Sequence, residues 1–165
     1  MAGDAGTLTI MPPLTRWFIK VAFLYLVASL LLGFLLALRP VVALPLWLTR
    51  VGPVYFHLFL VGWLTQLIFG TIFWLFPPAD PSRPQLEAWL GWAALLLLNA
   101  GLLLRVAGEP AVALRPGSGW GWLLVASGIL HWLGVLAYVV LVWPRARERA
   151  RHRVRRRPAQ QERAS

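Results

Sequence analysis

Apolar residues fall into four long blocks along this chain, from about Leu14 to Leu38, Pro53 to Phe76, Leu86 to Ala107 and Trp120 to Trp143. Crossing the hydrocarbon core of a bilayer takes about 20 mostly apolar residues in a helix, and each block is long enough. No charged residue lies deep in any of them. The pattern predicts an all-α membrane fold, a four-transmembrane-helix bundle over residues 14–143, with an N-terminal segment (1–13) before it and a basic tail (144–165) after it. Turn residues punctuate the blocks. Arg39-Pro40 follows the first, Pro77-Pro78-Ala79-Asp80-Pro81 the second and Gly108-Glu109-Pro110 the third; Pro116-Gly117-Ser118-Gly119 precedes the fourth and Pro144 follows it. Proline lacks a backbone N–H and clashes with the preceding turn, so these positions are expected to end helices rather than kink them. The stretch Val41 to Thr49 is too short to span and is expected at the interface. The first block is too long for a cleaved signal and lacks a small-residue cleavage site, so it is expected to be retained.

Composition points the same way. Hydrophobic residues make up 59% of the chain and charged ones 13%, against about 45–50% and about 25% in a soluble domain. Too little polar surface remains to cover a water-facing globule. Of 16 Lys and Arg, nine are arginines after Pro144, so the net charge of +10 is concentrated in one tail. Nucleic-acid binding would need basic residues spread over a folded face, and no nucleic-acid partner is expected. Arg16, Lys20, Arg83 and the nine tail arginines lie on one side of the predicted membrane, twelve against Arg39, Arg50, Arg105 and Arg115 on the other. The positive-inside rule then puts both termini in the cytoplasm of a multi-pass protein of the cell inner (plasma) membrane. The tail decides that orientation. Clustered arginines just inside a last span also bind anionic lipid headgroups, at about 1 kcal/mol per charge near the surface. Trp17, Trp47, Tyr55, Trp74, Trp89, Trp120, Trp122 and Trp143 sit near predicted helix ends, as an interfacial aromatic belt requires. The chain has no cysteine, which excludes disulfides, thiolate metal sites, iron–sulfur clusters and covalent haem attachment.

Polar groups inside a bilayer are costly. The set here is His57, Thr65 and Gln66 on the second block, Asn99 on the third, and Ser127, His131 and Tyr138 on the fourth. The lack of a buried carboxylate weighs against proton- or ion-coupled transport. A neutral imidazole in an apolar span suits axial ligation of haem iron, since it needs no counter-charge. Gly62 and Gly70 would let a large planar group, or another helix, approach the backbone. Val61, Leu64 and Ile68 are expected to form an apolar wall on the His57 face. The same residues fit a second reading, in which His57 hydrogen-bonds across the bundle and the glycines are packing sites. Ser127, His131, Gly134 and Tyr138 follow helical spacing along one stripe expected to face the interior. Asn99 is expected at the depth of His131 and as its partner. Thr65 can bond back to its own helix, and Gln66 is expected to bond to a neighbouring one.

The run from His57 to Phe76, with its His-x4-Gly-Trp-Leu-Thr-Gln-Leu-Ile-Phe-Gly pattern, resembles the second helix of subunit I in haem–copper oxidases and nitric oxide reductases. The likeness covers roughly 25 residues well and the first two helices loosely. It implies that His57 is an axial ligand of a low-spin haem b in the outer part of the membrane, on a helix running inward. The charge count gives the same direction. The copper ligands and high-spin haem ligand of that family belong to helices with no counterpart here. No copper is expected, and the three histidines, one of them His152 in the tail, cannot make an oxidase on their own.

The expected function is that of a b-type haem-binding membrane protein, with an electron-transfer or accessory role in a respiratory complex. The alternative is a non-haem assembly or structural subunit in which His57 and His131 are interhelical hydrogen-bonding groups. Expected partners are the bilayer and either further copies or respiratory-complex subunits. His131 is the candidate second ligand. Counted from the predicted helix ends, His57 lies about 6 Å deep and His131 about 16 Å. A gap of about 10 Å is more than one iron bridges. The count therefore favours a second ligand from another copy or subunit, or a second haem at His131.

Overall fold

The computed structural model describes residues 11–76 and 84–161, with side chains as far as Arg145. The first ten residues, Arg83, the proline-rich connection before it and the side chains of the tail, His152 included, lie outside the described residues. Helix α1 spans Pro13–Ala37, α2 is the short Leu46–Thr49, and α3 runs from Gly52 to Leu75. Helix α4 spans Pro84–Leu114 and α5 spans Gly121–Gln161. Four of these, all but α2, are long and apolar enough to cross a membrane, and no strand occurs among the described residues. The chain is a multi-pass membrane protein. Phe23, Leu24, Val27, Leu30, Leu31 and Phe34 of α1 are each more than half exposed, an apolar surface that suits lipid tails and not water.

The helices alternate in direction and pack as two pairs, α1 with α3 and α4 with α5. Pro13 begins α1, where its missing N–H costs nothing. Beyond Ala37 the connection is held by the Arg39 guanidinium, which donates to the Thr49 carbonyl, and the short α2 lies in this connection. Leu48, Val51 and Val54 close over Leu58 and Leu102 to form the core at this end. At the opposite end Leu14 and Phe18 pack with Leu95 and Leu98. Gly117, at φ 79°, makes the turn between α4 and α5, a backbone region open to glycine at no steric cost.

Two of the expected helix stops are not stops. Helix α4 continues through Pro110 to Leu114, and α5 continues through Pro144 as far as Gln161. A proline inside a helix removes one backbone hydrogen bond, whereas ending the helix near lipid leaves several groups unpaired. Continuing is the smaller loss. In α4 the turn before Pro110 is braced by Arg105 and Glu109, whose Nε and Oε1 are 3.3 Å apart.

Helix α3 is irregular in a way the sequence did not announce. From Leu58 to Thr65 it is a π-helix, with wider turns and i→i−5 bonding. The Thr65 hydroxyl follows suit and donates to the Leu60 carbonyl at 2.8 Å. The widening gives the inner face a four-residue repeat: Val54, Leu58, Gly62, Gln66 and Gly70 are all buried.

Candidate functional site

His57 is the last residue before the π-helical stretch of α3, and His131 lies on the facing side of α5. Their ring centres are 6.1 Å apart, with the planes inclined by 40°. The 10 Å depth gap expected from counting is therefore absent. Helix α4 runs seven residues beyond Ala107, to Leu114, and at 1.5 Å per residue this raises the tip of the α4–α5 hairpin by about 10 Å. His131 starts higher than the count assumed and arrives beside His57.

Local partners fix the protonation of both rings. His57 Nδ1 is 2.8 Å from the Pro53 carbonyl. A carbonyl only accepts, so Nδ1 carries the proton and Nε2 carries the lone pair. The Ser127 hydroxyl donates to the Gly101 carbonyl at 2.8 Å and lies 3.4 Å from His131 Nδ1. A hydroxyl has one proton, and the shorter contact takes it. Toward His131 the serine oxygen can only accept, so Nδ1 again donates and Nε2 is left bare. His131 Nε2 is buried and has no hydrogen-bond partner among the described residues.

Gly101 makes room for this ring. A Cβ there would lie 3.0 Å from Cε1 and Nε2 of His131 and 3.1 Å from Cδ2. Near-equal distances to three atoms mean that the backbone of α4 meets the face of the imidazole, not its nitrogen edge. The two rings thus offer two Nε2 lone pairs and no proton between them. They cannot hydrogen-bond to each other through these nitrogens.

The other expected residues distribute differently. Asn99 does not meet His131; its side-chain amide donates to Gln66 Oε1 at 3.2 Å and to the Leu95 carbonyl at 2.7 Å. Gln66, fully buried, thus finds the neighbouring helix as expected. What approaches Gly62 and Gly70 is α1: a Cβ would lie 2.7 Å from Tyr25 Cγ at the first and 2.8 Å from Phe18 Cβ at the second. Both glycines serve helix packing. The expected wall is split by the π-helix, with Val61 packed inward and Leu64 and Ile68 exposed. On α5, Ser127, Gly134 and Tyr138 do face the interior. Tyr138 stacks on Phe69 at 3.6 Å and donates its hydroxyl proton to the Phe69 carbonyl at 2.5 Å.

Sequence reasoning missed Gly101, because counting from the expected helix ends set it well above His131 and paired Asn99 with that ring. It also assigned Arg145 to the basic, headgroup-binding tail. Arg145 is instead 3% exposed. It pairs with Glu87 near the start of α4 and donates to the Phe76 carbonyl at 3.0 Å, at the end of α3. Its guanidinium carbon lies 4.4 Å over the Phe73 ring.

No family model, curated protein or solved structure matches the chain.

Proposed function

We propose that this is a b-type haem-binding membrane protein in which His57 and His131 are the two axial ligands of one haem. The observation that carries the reading is the 6.1 Å between ring centres. At that separation both imidazoles would be within reach of one iron. The bare Nε2 atoms supply the lone pairs such an iron needs, and the Nδ1 partners Pro53 and Ser127 hold the tautomers. No group of three or more His, Cys, Asp and Glu gathers among the described residues. The resemblance of the His57–Phe76 run to the haem-ligating helix of haem–copper oxidases supports the same choice.

A haem held by His57 and His131 would supply one-electron transfer. The residues of this chain would hold it, keep water from it with the Val51, Val54, Leu58 and Leu102 cluster, and support an electron-transfer or accessory role beside respiratory-complex subunits or further copies. An oxidase centre is not part of this reading. The twelve-to-four charge count supports cytoplasmic termini, a plasma-membrane location and a His pair nearer the outer face, with the arginine tail against anionic headgroups. The alternative, a non-haem assembly or structural subunit in which His57 and His131 hydrogen-bond between helices, is disfavoured because the ring partners Pro53 and Ser127 lie on the histidines' own helices.

The test is a reduced-minus-oxidised spectrum of the detergent-purified protein, repeated after haemin titration, beside His57→Ala and His131→Ala. Soret and α-bands in the wild type, lost or shifted in each variant, are expected. No bands in the titrated wild type, or bands unchanged in both variants, would refute it.

A further inference from the structure

Helix α4 runs on past Arg105 to Leu114, so at 1.5 Å per residue the Cα of this arginine lies about 14 Å short of the helix end. It stands inside the spanning helix and not at its mouth. A charge in that position is costly and asks for an anion. Gly101, Arg105 and Gly108 recur at the i, i+4, i+7 spacing of one helix face. Both glycines meet α5, Gly101 at the His131 ring and Gly108 at Leu123 and Leu124. Arg105 therefore leaves α4 on the face turned to α5, one turn from the residue that touches His131.

Most of its hydrogen-bonding capacity is unused. Glu109 Oε1 is 3.3 Å from Arg105 Nε, yet the buried Nε makes no hydrogen bond, and no described residue accepts from the two terminal nitrogens. The other cations at this end of the bundle are placed differently. Arg39 donates to the Thr49 carbonyl, and Arg50 and Arg115 are exposed.

We propose that Arg105 is a carboxylate-binding residue of the His57–His131 site, and that the carboxylate it takes is a propionate of haem b. This rests on the haem reading. A b-type porphyrin is apolar apart from two propionates, which leave the ring together on one edge. Within a span of low dielectric a carboxylate needs a cation with N–H donors aimed at it, and the planar fork of a guanidinium matches its geometry. Arg105 thereby sets the propionate edge of the macrocycle toward the α4–α5 connection. Glu109 opposes the ligand: it balances the guanidinium when no ligand is bound and repels an incoming carboxylate.

Equilibrium titration of the detergent-purified protein with haemin, and with haemin dimethyl ester whose carboxylates are blocked, separates this contact from the iron. Wild type is expected to prefer haemin by about 10–100-fold, the effect of one charge-assisted hydrogen bond. Arg105→Gln should abolish that preference by weakening haemin and not the ester. Arg105→Lys should keep part of it, and Glu109→Gln should enlarge it. If Arg105→Gln folds poorly, the lysine and glutamine variants decide, since a residue that only braces α4 would shift both ligands alike. A wild type that binds haemin and ester equally, or a preference unmoved in Arg105→Lys and Glu109→Gln, would overturn the proposal. With bands still lost in His57→Ala and His131→Ala, that result would leave the haem reading standing. A wild type that binds neither ligand would refute both.

Discussion

Replacing Arg145 by alanine should cost the bundle about 3–5 kcal/mol, the range for removing one partner of a buried ion pair. The figure follows from what the side chain does. Its side chain is 2% exposed, pairs with Glu87 and donates to the Phe76 carbonyl at 3.0 Å. That carbonyl lies at the C-terminal end of α3, where the last backbone acceptors lack helical partners and the helix dipole favours a cation. A charge-assisted hydrogen bond contributes about 1.5–3 kcal/mol, and the guanidinium over Phe73 adds about 0.5–2 kcal/mol. Arg145→Lys should recover only part of the loss, because one ammonium cannot replace a planar fork that reaches a carbonyl and a carboxylate together. Equilibrium unfolding in mixed detergent and sodium dodecyl sulfate, followed by tryptophan fluorescence, measures the difference. A double-mutant cycle with Glu87→Gln isolates the pairwise part. A cost below about 1 kcal/mol, the value of an exposed pair, would show that Arg145 belongs to the solvated tail and not to the bundle.

Gly101→Ala should displace the His131 ring, since its Cβ would come within 3.0–3.1 Å of three ring atoms; overpacking of this kind costs about 1–3 kcal/mol. Unfolding in the same assay and the His131 resonances report it, and unshifted resonances would mean that the ring does not lie on that backbone. Gln66→Leu should leave one of the two Asn99 amide protons without its acceptor and lower stability by about 1–3 kcal/mol, whereas the joint change with Asn99→Leu should lose less than the sum of the two. Additive losses would show that the two amides are not paired. Tyr138→Phe removes the hydrogen bond to Phe69 while keeping the stacked ring, so it should cost about 0.5–1.5 kcal/mol. A loss as large as that of Tyr138→Ala would contradict the hydrogen bond as its source.

The four spans were legible because a long apolar run without charges has few other uses: in lipid every backbone group must be bonded within the helix. The same rule explains why the prolines misled. At Pro110 and Pro144 the helix forgoes one bond and continues, which local propensity read as a stop. That error spread to the site, because a misplaced end of α4 put His131 about 10 Å too deep and gave it Asn99 as a partner. The π-helical stretch left no sign in residue type. Its effect was to replace the expected face of His57, Val61, Leu64 and Ile68 by Val54, Leu58, Gly62, Gln66 and Gly70. The two histidines themselves were visible as polar residues in apolar runs, and their neighbours were not, since Pro53 and Gly101 act through backbone atoms. Arg145 and Glu87 carried a readable signal, opposite charges at the same end of the bundle, that the tail's other arginines hid.

Electron paramagnetic resonance of the oxidised, haem-titrated protein, taken with the haem-to-chain ratio, addresses the pairing of His57 with His131 most directly. One haem per chain in a low-spin ferric state is expected, turning high-spin when either histidine is replaced by alanine. A low-spin haem that survives in the His57→Ala/His131→Ala double variant, or a wild-type protein that binds none, would contradict it.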